Sequence, residues 1–151
     1  MAYEQLKLEN QLCFPVYAAS RLITREYQPH LDGLGITYPQ YLVLMVLWEH
    51  GPLTIKEISA KLILNTNTLT PLLKRMMNQG ILTRQRSDED ERKVIVKLTE
   101  KGEIMQHDAA VIPEKLVSGL LSKGLEMEEL TDLRNNLNTI IDYLSHKEKV
   151  H

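Results

Sequence analysis

The chain has 151 residues, 43% hydrophobic and 25% charged, with 18 basic and 20 acidic side chains and a formal net charge of -2. Such a chain buries one substantial core in one or two closely packed lobes, and no apolar run approaches the roughly 20 residues that a membrane-spanning helix needs. The single cysteine, Cys13, excludes an intrachain disulfide and a cysteine zinc cluster, and a start carrying Glu4, Lys7 and Glu9 has no secretory pattern, so a cytoplasmic protein without membrane association is expected.

The first predicted helix runs from Leu12 to Tyr27. Leu12, Val16, Ala19, Leu22 and Ile23 recur at helical spacing, and Pro29 with Gly33 and Gly35 closes the segment. Thr37 opens a capping box with Gln40, and Tyr41, Leu44, Met45, Leu47 and Trp48 carry a second helix to Gly51-Pro52. Thr54 and Glu57 form another box, ahead of a short third helix on Ile55, Ile58 and Leu62.

After a brief turn at Leu64 and Asn65, a threonine-capped fourth helix is predicted from about Thr66 to Gln79. Leu69, Leu72, Leu73 and Met76 form one face, Thr68, Lys74, Arg75 and Asn78 lie largely outside it, and Pro71 is expected near the first turns. Two short helices joined by a tight turn, the second with a polar and basic outer face, make a helix-turn-helix. Ile81 to Arg86 and Arg92 to Leu98 follow as a hairpin, in which Val94, Val96 and Leu98 alternate with Lys93, Ile95 and Lys97. One helix is expected from Ile104 to Leu121 with a bend at Pro113. A terminal amphipathic helix then carries Met127, Leu130, Leu133, Leu137, Ile140, Ile141 and Leu144, a stripe most simply buried against another subunit.

The positive charge is local. Arg75, Arg84, Arg86, Arg92, Lys93 and Lys97 crowd one segment of a chain that is acidic overall, as a duplex binder requires where it meets phosphates. Thr66, Asn67 and Thr68 at the fourth helix's start suit phosphates or base edges, and Lys74 and Arg75 suit phosphate or guanine. A basic helix face alone is ordinary solvated surface; the order of capped helices, polar helix and hairpin points to double-stranded DNA. At the hairpin tip, Ser87-Asp88-Glu89-Asp90-Glu91 would repel phosphate unless offset by Arg84, Arg86 and Arg92. Asp90 pairing with Arg92 would hold the arginine toward a minor groove, or the pair is merely an exposed contact.

Pro15 suits only the first turn of a helix, so Cys13 is expected at a helix N-terminus, where the dipole favours a thiolate. Tyr17 lies one turn on; Tyr27 lies nearly on the same face but roughly 21 Å along the axis. One helix cannot bring Tyr27 to Cys13, whereas two packed antiparallel about a two-fold axis can. The same spacing also fits a small buried hydrophobe. His30, His50, His107, His146 and His151 show no metal-ligand spacing, and no phosphate loop or hydrolase motif is present, so neither cofactor, metal nor enzyme is expected.

With these residues assembled, the chain resembles the MarR family of winged helix-turn-helix regulators, in its one-cysteine branch of organic hydroperoxide resistance repressors. The likeness rests on Leu8-Glu9-Asn10-Gln11-Leu12-Cys13-Phe14, on Ile36-Thr37-Tyr38-Pro39-Gln40-Tyr41, on Leu69 through Met76, and on Arg86-Ser87 through Asp90-Glu91-Arg92 to Gly102. It implies a mainly α fold with a small β-wing and three parts. These are an N-terminal dimerisation helix with the redox-sensing cysteine in 1–36, a winged helix-turn-helix lobe in 37–99 and C-terminal dimerisation helices in 100–151. It further implies a homodimer on an inverted-repeat operator, with Cys13 oxidised by an organic hydroperoxide to a sulfenic acid that a low-molecular-weight thiol caps or that over-oxidises. In the family the cysteine is hydrogen-bonded by tyrosines of the partner subunit, which fall on Tyr17 and Tyr27 here, and Tyr38 matches a further family tyrosine. Asn65-Thr66-Asn67 departs from the acidic, Ser or Thr, Gly run of many relatives, so no operator sequence is implied. Two alternatives stand beside this reading: a MarR-type regulator released by a small aromatic ligand, with Cys13 structural, and a peroxide-reducing thiol enzyme, which would lack a resolving cysteine.

Overall fold

The computed structural model of the chain describes residues 3–148. The outer ends of the segments expected at 1–36 and 100–151, with His151, lie outside the described residues. Two compact units divide the chain, 1–112 and 113–151. The first contains α1 (Cys13–Asp32), α2 (Tyr38–His50), β1 (Leu53–Thr54), α3 (Ile55–Leu62), α4 (Thr66–Asn78), β2 (Leu82–Arg86), β3 (Val94–Leu98) and α5 (Glu100–Ala109). The second holds most of α6 (Ile112–Ser122) and all of α7 (Met127–Glu148), joined through Gly124 at φ +98°.

Local chemistry accounts for the boundaries. The box expected at Thr37 is present: Gln40 Oε1 accepts the Thr37 N–H at 3.0 Å, and Thr37 Oγ1 accepts the Gln40 N–H. Thr54 Oγ1 accepts the Glu57 N–H at 3.1 Å, half of the second box. The fourth helix is capped by Asn65 rather than by a threonine, Asn65 Oδ1 accepting the Thr68 N–H at 2.9 Å. Asparagine leads threonine at this position because its carbonyl reaches the open N–H groups in extended backbone. The α3–α4 turn is set by Ile63, held left-handed at φ +55°, with Leu64 N–H donating to Ser59 O at 3.1 Å.

Three further expectations are corrected. The first helix does not stop before Pro29 but continues to Asp32. The proline ring is exposed, forfeits only the bond to the Arg25 carbonyl, and is followed by fully buried Leu31, which anchors the last turn. The helix expected from Ile104 to Leu121 is two helices. Thr99 caps the first through the Gly102 N–H, and the break falls at Ala110–Val111, because Pro113 favours the first turn of a new helix rather than a bend within one. Finally, the hairpin gains a third strand, giving the order β1-β3-β2 with Leu53 opposite Val96.

The core of the first unit lies between α2, α3, α4 and the base of the sheet. Leu44, Leu47, Ile58, Leu69, Leu73, Met76, Ile81 and Val96 are fully buried there. Gly102 lets α5 dock on the wing base: a Cβ at this position would stand 2.6 Å from the Ile81 carbonyl oxygen.

Candidate functional site

The buried face of α4 fixes what the helix presents. Leu69, Leu72, Leu73 and Met76 point into the core, so Thr66, Asn67, Thr68, Lys74 and Arg75 stand exposed along a helix of 13 residues, about 20 Å long. Thr70 shares this surface between Asn67 and Lys74, a helical spacing that the sequence reading did not use.

In the wing, Leu82 lies opposite Leu98, Arg84 opposite Val96 and Arg86 opposite Val94, so these residues share one face of the sheet. The face is buried at its base and runs out beyond the core, where Arg84 and Arg86 are exposed. The acidic tip is folded on itself. Asp90 Oδ1 accepts the Arg92 N–H at 3.1 Å, Lys93 N–H donates to Asp90 O at 2.9 Å, and Ser87 Oγ accepts the Glu89 N–H at 3.2 Å. Arg86 Nη1 reaches the Glu91 carbonyl at 3.5 Å. The ion pair between Arg92 Nε and Asp90 Oδ1 is long, 3.9 Å, and the Arg92 side chain is 96% exposed. Asp90 thus holds the turn's backbone more firmly than it holds the guanidinium.

Cys13 is the first residue of α1 and is free and exposed. Leu12 before it supplies no capping side chain and Pro15 has no N–H, so the first turn of α1 is open at the thiol. A groove of about 650 Å³ lined by Lys7, Leu8, Glu9, Phe14 and Pro15 adjoins this turn. Tyr17 is 63% exposed, with the Arg21 guanidinium carbon 4.7 Å from its ring centroid.

Tyr27 and Tyr38 are elsewhere. Their ring centroids are 5.3 Å apart, Tyr41 sits 6.1 and 6.2 Å from the two, and Trp48 stands edge-on to Tyr41 at 6.4 Å. Burial raises the Tyr27, Tyr38 and Tyr41 phenols above their ordinary value of 10.0, and mutual proximity adds to the rise at Tyr27 and Tyr41. They remain protonated donors at neutral pH. The four expected sensor residues are therefore split within one chain: Cys13 and Tyr17 lie in the first turns of α1, while Tyr27 packs on Tyr38 near its other end. Tyr41 and Trp48 complete the second pair's surroundings, a role that the sequence reading did not assign to them.

A capped helix pair, an exposed second helix and a three-stranded wing define a winged helix-turn-helix regulator. Residues 25–108 match the family of transcriptional regulators SarA/Rot. The organic hydroperoxide resistance transcriptional regulator of Bacillus subtilis (strain 168) is 48% identical over 145 residues, 96% of this chain and 97% of that one. Reduced AbfR bound to DNA superposes with a TM-score of 0.75 at 38% identity, covering 93% of this chain and 96% of the other. A mutant of MarR from E. coli complexed with operator DNA gives 0.77 at 25% identity over 85% and 92%. The chain belongs to the MarR family of winged helix-turn-helix transcriptional regulators, in the group of organic hydroperoxide resistance regulators.

Proposed function

We propose that a homodimer of this chain represses transcription from an inverted-repeat operator in double-stranded DNA and lets go when an organic hydroperoxide oxidises Cys13. The observation that carries this reading is the sole thiol, free at the open start of α1, in a chain that also presents a reading helix and an arginine-bearing wing. Thr66, Asn67 and Thr68 meet phosphates or base edges, Lys74 and Arg75 reach further along the major groove, and Arg84, Arg86 and Arg92 follow the backbone toward a minor groove, with Asp90 fixing the wing's turn. The segments 1–36 and 100–151 serve dimerisation, and 37–99 serves DNA. A relative that regulates transcription and another, AbfR, bound to DNA in both its reduced and its overoxidised form support the DNA-binding part of the assignment.

The chemistry needs no cofactor. The Cys13 thiolate attacks the terminal oxygen of the hydroperoxide; the S–O bond forms as the O–O bond breaks, the sulfur is oxidised to a sulfenic acid, and the leaving alkoxide takes a proton to become the alcohol. A low-molecular-weight thiol then condenses with the sulfenic acid, giving a mixed disulfide and water. Tyr27 and Tyr38 of the opposing subunit, kept as phenols by burial, donate to the thiolate beside Tyr17, and the apolar groove walls Leu8, Phe14 and Pro15 suit the organic part of the peroxide. One oxidation per thiol is a signal rather than turnover, so the chain acts as a regulator and not an enzyme, in a cytoplasm that keeps the thiol reduced.

The test is a mobility shift of the full-length protein on its own upstream DNA. The wild type is expected to leave when cumene hydroperoxide is added. Cys13→Ser should bind the operator equally well and stay bound, because the hydroxyl accepts similar hydrogen bonds but forms no sulfenic acid. Release of the serine variant by peroxide as readily as the wild type removes Cys13 from the mechanism.

A further inference from the structure

Gln79 closes the C-terminal end of the reading helix, and although the residue is exposed its side-chain amide bonds across the fold. Its Nε2 donates to the Gly35 carbonyl at 2.9 Å and its Oε1 accepts from Gln40 Nε2 at 3.3 Å, spanning 44 and 39 positions of sequence. Its own carbonyl accepts from Lys101 Nζ at 2.9 Å. Gln40 is the buried polar residue of the core at 5% exposure, and its remaining amide oxygen takes the Thr37 N–H at 3.0 Å. Only one orientation of each amide satisfies this chain of donors and acceptors.

Both ends of the Gln79 amide thus land on the connection that carries Tyr38. Gly35 lies in the α1–α2 loop, Gln40 in the first turn of α2, and Tyr38 between them with Tyr27 against its ring. Apolar packing between α2 and α4 is non-directional and tolerates sliding; a pair of amides with fixed partners does not, since a slip leaves the Gln40 amide nitrogen without its acceptor.

We infer that Gln40 and Gln79 are positioning residues that transmit a displacement of the Tyr27–Tyr38 pair to the C-terminal end of the reading helix. This rests on the redox reading above, in which those tyrosines attend the sulfur, and adds that they are displaced when it gains an oxygen. The α1–α2 loop is the element displaced, and the two amides convert its displacement into a shift of α4 against the DNA.

The experiment uses the full-length dimer and Gln79→Met, which keeps length and helix propensity but removes both side-chain bonds. Leu69, Leu72, Leu73 and Met76 still anchor α4, so the reduced variant should bind its operator within about twofold of wild type. Cumene hydroperoxide should remove its titratable thiol at the wild-type rate. The ratio of reduced to oxidised operator affinity should nevertheless fall by about fivefold or more, a change that a merely structural residue would not make. An unchanged ratio with the thiol fully oxidised overturns the inference. If the methionine variant loses helical circular dichroism, Gln79→Asn decides instead: its amide is too short to span Gly35 and Gln40 together, the same fall is expected, and a wild-type ratio is equally fatal. A wild type that keeps its operator after Cys13 is oxidised overturns the redox reading itself, whereas a wild type and Gln79→Met that both leave overturn the coupling alone.

Discussion

Tyr27 and Cys13 share one helix and nearly one face, yet the rise per residue keeps them about 21 Å apart, so any contact between thiol and phenol joins two chains. The phenol brings a proton it does not readily give up, since burial raises its titration and Tyr38 raises it further. Tyr27→Phe removes that donor while leaving the ring packed on Tyr38 and Tyr41. A hydrogen bond to a charged acceptor stabilises the thiolate, so its loss should slow oxidation of Cys13 by a few-fold to about tenfold without abolishing it. The rate of thiol loss under organic hydroperoxide measures this, and a rate equal to the wild type's would place Tyr27 outside the sensor. Spacing made this geometry legible from the sequence, because Pro15 fixes the start of the helix and residue counting fixes the separation. Gln79 was not legible: its partners lie 44 and 39 positions away, and no local pattern signals a bond of that range.

At the scale of elements, the wing places one nearly unencumbered cation at the end of a self-bonded acidic turn. Asp90 binds the Arg92 backbone at 3.1 Å, while the guanidinium, 3.9 Å away at the nearest, extends into solvent. Arg92→Ala should therefore leave the turn folded and weaken operator binding by about 1–3 kcal/mol through loss of a groove contact, with a smaller salt dependence of the binding constant. Unchanged affinity in a titration at fixed salt would take the wing tip out of recognition. The elements themselves were readable where chemistry is local: Thr37 with Gln40, the apolar face of α4, the alternation of Val94, Val96 and Leu98. Prolines misled where tertiary packing outweighs propensity, since Pro29 sits inside a helix that Leu31 anchors, and Pro113 starts a helix instead of bending one. Leu53–Thr54 went unseen because two residues carry no period, and Thr54 already reads as a cap.

At the scale of the whole molecule, each of the two units carries an apolar stripe that it does not itself bury. Along α1, Leu12, Val16, Leu22 and Ile23 are exposed; along α7 no described residue is buried, and Leu133 and Leu144 stand 55% and 52% exposed. A helix of 22 residues keeping Leu133, Leu137, Ile140, Ile141 and Leu144 on recurring turns presents the kind of apolar face that a second subunit covers. Leu137→Asp places a carboxylate in the middle of the stripe. If a second subunit packs there, the charge loses its hydration without gaining a partner, at a cost of several kcal/mol, and the dimer dissociates at micromolar concentration. The monomer still owns an intact reading helix and wing, because both belong to the unit 1–112, but it holds one half-site where the dimer holds two, about 10 bp or a multiple apart. Operator affinity should therefore collapse while the variant's circular dichroism changes little. Sedimentation of the wild type as a monomer at micromolar concentration, or of Leu137→Asp as a dimer with full operator affinity, would show that the stripe on α7 does not join the subunits.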